Sequence, residues 1–344
     1  LRYGPFLFFA FSLAFAIKVP MFPVHTWLPD AHVQAPVAGS MVLAGVMLKM
    51  GTFGFWRFAV PLFPGAARQY QLPISILAVI GIVYGALMCL AQKDIKKLIA
   101  YSSVSHLGYC MLGMFAFTGE GATGSAYQML NHGVSTGALF LLFGFLYERR
   151  HARLMADYGG IAKVMPIFTA FFLVVTFSSI AVPGTNGFVG EFLVLLGTFK
   201  SNLPMVIGVL ATTCVILGAA YMLWMVQKVF FGTVTHQENL GLKDLNRREI
   251  IAAIPLLALI AIMGLRPQPF LDMLNPSTER FLARAQYASG KTDATTEDSK
   301  VRVMVRQLPA KVAVADAAPA QPPMPRFLPT GRLMPAAAAL NPTP

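Results

Sequence analysis

The chain has 344 residues, of which 56% are hydrophobic and only 12% charged, and its mean hydropathy is +0.61. A soluble domain would carry about one-quarter charged residues, so the composition excludes a water-soluble globular enzyme in favour of a polytopic helical membrane protein. The net charge of +12 sits mainly in short loops and the C-terminal stretch, where it sets topology or meets anionic lipid, and it forms no basic stripe of the kind that binds nucleic acid.

Apolar length and chain breakers predict about eight membrane segments. The first runs over 3–18 and continues at 24–34, interrupted by Lys18-Val-Pro20 and Pro23. Segments at 36–60, 73–92, 95–117 and 122–147 follow. The sixth, 164–199, is interrupted at Pro183-Gly184 and Gly187, and 204–232 and 250–265 complete the series. The expected fold is therefore an all-α membrane helix bundle with two broken helices. From residue 276 the chain turns to Ala, Pro, Thr, Lys and Arg without a spanning run. This divides it into a transmembrane domain at 1–275 and a C-terminal extramembrane, largely disordered tail at 276–344. An apolar run starts almost at Leu1, from which a chain incomplete at its N-terminus is expected.

Charges in the connections alternate. Lys93, Lys96 and Lys97, then Arg149, Arg150, Arg153 and Lys163, then Lys243, Arg247 and Arg248 mark one side, expected to be cytoplasmic or its equivalent. The intervening connections are nearly uncharged. Cys89, Cys110 and Cys214 all lie in apolar runs without a CxxC spacing, so they read as packing residues and give no support for zinc, haem or iron–sulfur chemistry.

Five ionisable residues fall on five different segments. Lys49 is about 13 residues from one helix end and about 11 from the other, roughly 16 Å or more, which is too far to snorkel easily. Satisfaction by carbonyls around Gly51 is the alternative reading for it. Lys18 ends an apolar run before a proline, and its position alone fits an interfacial lysine equally well. Histidine as a residue type titrates near neutrality, so His106 and His132 suit a proton relay, although a lone buried histidine also fits a core hydrogen-bonding role. Glu191 is the one acid inside a spanning segment, either a proton carrier or half of a static salt bridge. Each group alone is weak evidence, but together they suggest a hydrated polar axis, since each would otherwise carry its own burial cost. Ser102, Ser103, Ser105 and Thr136 add hydroxyls able to hold bridging water. His25, Asp30 and His32 follow the first break. Asp30 and His32, two residues apart, do not share a helical face, so they read as lining at a cavity mouth and not as a metal site.

The stretch from Lys18-Val-Pro-Met-Phe-Pro-Val-His-Thr-Trp-Leu-Pro-Asp-Ala-His32 to Lys49-Met-Gly51 resembles the antiporter-like, proton-conducting membrane subunits of respiratory complex I, in particular their M-type branch. The blocks Asp94 to Gly108, His132 to Phe140 and Gly187 to Phe192 are similar to the same family. The likeness covers about residues 1–275. It implies an inverted-repeat fold and a proton path Lys18–Lys49–His106–Glu191 with His132 alongside, to which the residue reading adds His25, Asp30, His32, Ser103 and Ser105 as candidate channel lining. It further implies no cofactor in this chain, with NADH, FMN, iron–sulfur clusters and quinone elsewhere in the complex, and other membrane-arm subunits as partners. A glutamate that pairs with the Lys18 equivalent belongs, in the family, to a region ahead of the one matched. The resemblance implies a bacterial cytoplasmic membrane, or alternatively the mitochondrial inner membrane. A Mrp-type cation/proton antiporter or membrane-bound hydrogenase subunit is the rival reading.

Overall fold

The computed structural model describes residues 3–287, and among them the backbone is helical apart from its connections and a single isolated bridge between Asp94 and Leu154. Helices α1 (Gly4–Lys18) and α2 (Trp27–Gln34) are the halves of the first broken span. Four long helices follow: α3 (Val37–Leu62), α4 (Gln71–Ala91), α5 (Ile95–Phe115) and α6 (Gly119–Arg150). The second broken span comprises α7 (Pro166–Ser179) and α8 (Asn186–Phe199), and α9 (Met205–Phe230), α10 (Arg247–Leu265) and α11 (Gln268–Tyr287) follow within the described residues. Among the described residues six helices, α3 to α6, α9 and α10, are long and apolar enough to cross a membrane. With the two broken pairs they make the eight spans that the apolar pattern predicts.

One boundary differs. Helix α11 carries the chain past residue 275 to Tyr287, burying Thr278, Phe281 and Ala285 on one face. An amphipathic helix of this kind has no spanning run, so a criterion of apolar length passes over it. The remainder of the expected tail, 288–344, lies outside the described residues.

Helix α5 is the central post, burying all of its residues but Lys97 and Tyr101. Glycines let its neighbours close on it. A Cβ on Gly108 would lie 2.9 Å from Ala78 O on α4, and one on Gly113 would lie 2.6 Å from Gly121 O on α6. The same device joins α6 to α8, where a Cβ on Gly124 would lie 2.6 Å from Val194 N and one on Gly197 2.1 Å from Gly121 N. Small residues serve this purpose in lipid, where the hydrophobic effect does not drive helices together.

The basic loops gather at one end of the bundle. Asp94 caps α5 through Lys96 N (2.8 Å) and Lys97 N (3.2 Å). Asn246 and Glu249 form a capping box on α10, and the Glu249 carboxylate takes a bidentate pair from Arg149 at 2.7 and 2.6 Å. These contacts seat the end of α6 against the start of α10.

Candidate functional site

The site is built where α3, α5, α6 and α8 meet. Helix α3 is locally wound with wide π turns at Leu43–Met47 and Phe55–Ala59, on either side of Lys49. The first carries an i→i+5 bond, Leu48 N to Leu43 O at 3.1 Å, and the Lys49 ammonium donates to the nearby Ala44 carbonyl. The carbonyl that receives the lysine is thus one turn before it, and not near Gly51.

The Lys49 Nζ also lies 2.6 Å from His132 Nδ1. Glycines make this possible: a Cβ on Gly133 would sit 2.9 Å from Gly45 O, so α3 and α6 approach backbone to backbone beside the pair. The His132 ring stands 5.8 Å, centroid to centroid, from that of His106 on α5. His106 Nδ1 in turn lies 2.9 Å from Glu191 Oε1 on α8. His106, His132 and Glu191 are all buried. The sequence places His132 alongside a path from Lys49 to His106. The structure instead inserts it between them, because it is α6 and not α5 that reaches Lys49.

A second row of polar groups supports this chain. Gln128 Nε2 donates to Glu191 Oε1 (3.1 Å), and Asn131 Nδ2 donates to Gln128 Oε1 (3.1 Å), which fixes the Gln128 amide with its NH₂ toward the carboxylate. Asn186, the first residue of α8, accepts from Ser178 Oγ (2.5 Å) and donates to Ser135 Oγ (3.2 Å) and Asn131 O (3.5 Å). Ser135 and Ser178 are 2.6 Å apart. The network ties both ends of the second break to α6. Sequence reasoning missed Gln128, Asn131, Ser135, Ser178 and Asn186. The signal for three of them was present: Gln128, Asn131, His132, Ser135 and Thr136 fall at i, i+3, i+4, i+7 and i+8, a polar stripe down one face of an otherwise apolar helix. A cavity of about 10 Å³ borders His106, His132, Ser135, Ser178 and Glu191, about the volume one water needs. Nε2 of both histidines is buried without a hydrogen-bond partner among the described residues.

Other predicted residues lie apart from this chain. Lys18 is half-buried at the first break, and its side chain makes no hydrogen bond or ion pair with another described residue. Its backbone is gripped by α3, since a Cβ on Gly51 would lie 2.7 Å from Val19 N. His25 is buried against Phe22 and Tyr84, with ring centroids 5.7 and 5.0 Å away. Asp30 is exposed and 3.6 Å from Lys97 Nζ. His32 is fully buried, stacked on Phe140 at 4.7 Å, with neither ring nitrogen bonded. Just beyond it, the last carbonyls of α2 and its cap accept from Arg153 (Val33 O, 3.2 Å) and Lys96 (Ala35 O, 2.6 Å), beside a cavity of about 310 Å³. Ser103 and Ser105 donate to the carbonyls of Ile99 (3.3 Å) and Ile82 (3.0 Å). Their hydroxyls are thus engaged by backbone carbonyls and take no part in the bonded chain from Lys49 to Glu191. Cys89, Cys110 and Cys214 are buried on three separate helices, and no group of three His, Cys, Asp or Glu among the described residues converges as a metal site.

The family model described as "NADH:quinone oxidoreductase/Mrp antiporter, TM" matches residues 4–218. NADH-quinone oxidoreductase subunit M of Rickettsia bellii is 47% identical over 278 residues, covering 81% of this chain and 56% of that protein. The chain thus spans about half the length of the curated relatives it matches. Among solved structures, a chain of respiratory complex I from Thermus thermophilus with bound NADH superposes with a TM-score of 0.77 at 39% identity, over 82% of this chain and 59% of that one. A chain of the Mrp complex from a Dietzia species gives 0.73 at 20% identity, over 79% and 58%, a likeness of fold alone.

Proposed function

Since the chain belongs to the NADH:quinone oxidoreductase/Mrp antiporter transmembrane family, we propose that it forms the proton-conducting part of a membrane-arm subunit of an NADH:quinone oxidoreductase. It moves protons through the membrane while NADH, FMN, iron–sulfur clusters and quinone do the redox chemistry elsewhere in the complex. Neighbouring antiporter-like subunits are its partners.

One observation carries the reading: Lys49, His132, His106 and Glu191 form a chain with a defined polarity. A lysine ammonium has only N–H donors, so His132 Nδ1 accepts from it and His132 Nε2 bears the ring proton. At the other end the Glu191 carboxylate accepts from Gln128 and from His106 Nδ1–H, which leaves His106 Nε2 as a lone pair. The two ring nitrogens left over are therefore one donor and one acceptor, on rings 5.8 Å apart and bordering a cavity with room for one water. One hop along each link takes a proton from Lys49 and delivers one to Glu191. Both ends become neutral together, so no isolated charge is left buried, the circumstance that makes burial costly.

Resetting requires Lys49 to be reprotonated and Glu191 to release its proton. His32 and the cavity beside Lys96 and Arg153 lie toward the basic end, and His25 and Asp30 toward the same mouth; we assign the approach to Lys49 to this side. The test is proton translocation per electron in the assembled enzyme carrying the full-length protein with Lys49→Ala or Glu191→Gln. The expected outcome is a lowered ratio with retained assembly. An unchanged ratio in both variants rejects the relay.

A further inference from the structure

At the end of the bundle away from the basic loops, α3 and α11 enclose a hollow of about 370 Å³. Its walls include Phe53, Trp56 and Arg57 from α3 and Arg280, Phe281 and Arg284 from α11. Trp56 and Phe281 stack at 4.2 Å with 14° between their planes, which holds the two helices together. Arg280 and Arg284 are four residues apart and so share a helix face.

Three arginines therefore line one space, and none has a carboxylate partner among the described residues. Arg280 Nε donates only to Pro276 O of its own helix (2.9 Å). A different arginine at this end, Arg68, is accommodated by placing its guanidinium 4.2 Å from the Phe117 ring centroid. No such ring contact accompanies the other three. Like charges gathered this way repel unless an anion joins them.

Position identifies the anion. Helix α3 has 26 residues, about 39 Å, against a hydrocarbon core of about 30 Å, so its last turn or so reaches into the headgroup layer. Arg57 is five residues from Leu62, about 7.5 Å below the helix end, at the border between headgroups and chains. Immediately deeper, Met50 and Phe53 are 61% and 54% exposed on the helix surface. We propose that the hollow binds the phosphate headgroup of an anionic phospholipid, with its acyl chains lying along the Met50–Phe53 face of α3. Arginine forks match phosphate oxygens in bidentate fashion, and the apolar surface continuing from the basic pocket suits a lipid in a way that a soluble anion does not use. The inference is independent of the proton relay.

The experiment compares wild type with the Arg57→Gln/Arg280→Gln/Arg284→Gln variant, both as full-length protein in the assembled complex. Bound lipid is counted by native mass spectrometry after graded delipidation, and is restored from phosphatidylglycerol or phosphatidylcholine vesicles. Wild type is expected to hold one further anionic lipid per copy, preferring phosphatidylglycerol at least tenfold, and the triple variant to lose that lipid. Arg57→Lys, which keeps the charge but not the fork, should be intermediate. Equal retention by wild type and triple variant overturns the proposal, as does displacement by millimolar inorganic phosphate without any preference among lipids. A photo-cross-linking residue in place of Phe53 is expected to label lipid; labelling of a polypeptide instead also overturns it.

Discussion

The two broken helices begin alike and end differently. Each stops an apolar half-helix short of a full span, at Lys18 and at Ser179, and each places an ionisable residue near the break. At the first, one side-chain bond closes the gap, Trp27 Nε1 to Ile17 O at 2.9 Å, and Lys18 remains outside any bonded network. At the second, Ser178, Asn186, Ser135 and Asn131 bind both ends to α6, and Glu191 two turns on receives two donors. A break frees backbone groups, but it does not itself fix a charge. What fixes the charge is whether the helix packed across the break brings a stripe of polar side chains, and α6 does.

The largest effect expected from this difference is steric. A Cβ on Gly187 would lie 2.2 Å from Ser178 O, a backbone atom held by the second break. Gly187→Ala should cost about 3 kcal/mol or more, seen as a drop in the unfolding midpoint of the purified protein and in the amount assembled in the membrane. A cost below about 1 kcal/mol would mean that α7 and α8 move apart easily and that the second break is no tighter than the first.

Next in size is Asn186→Leu. It removes the acceptor of Ser178 and the donor to Ser135 and Asn131 O, leaving the two buried hydroxyls only each other, at a cost of about 2 kcal/mol. Gln128→Leu acts closer to the charge: Glu191 loses one of two donors and Asn131 loses the acceptor for its amide. One charge-assisted bond is worth about 1.5–3 kcal/mol, so translocation should slow by roughly tenfold or more while assembly persists. Gln128→Glu sharpens the test by placing a second acid against Glu191 and should slow it at least as much. Full-rate translocation in both variants would show that Glu191 does not need the second row.

Much of this was legible in the sequence, for reasons that can be located. The spans declare themselves because lipid demands long apolar runs, and the breaks because Pro20, Pro23 and Pro183-Gly184 interrupt such runs. Lys49 and Glu191 stand out because ionisable residues at that depth are expensive. The spatial order Lys49–His132–His106–Glu191 did not show, since it depends on which helix α3 touches, and that rests on Gly45 and Gly133, two glycines among 29 with nothing local to distinguish them. The π turns around Lys49 were equally hidden, as Leu43–Met47 reads as ordinary apolar helix. Helix α11 escaped because its apolar face is narrow, and Phe281 gains meaning only when Trp56 and Phe117 stack upon it.

The smallest predicted effect returns to the first break. Trp27→Phe keeps an aromatic ring but removes the indole N–H that satisfies Ile17 O. That bond lies in an exposed position, so its loss should cost about 1 kcal/mol, and water or lipid headgroups can replace part of it. The unfolding midpoint should fall by a few degrees at most, with assembly intact. A loss as large as that of Asn186→Leu would show that a single side chain holds the first break as firmly as four hold the second. The contrast between the breaks would then lie in their charges alone: Lys18 outside the bonded network and Glu191 held within it.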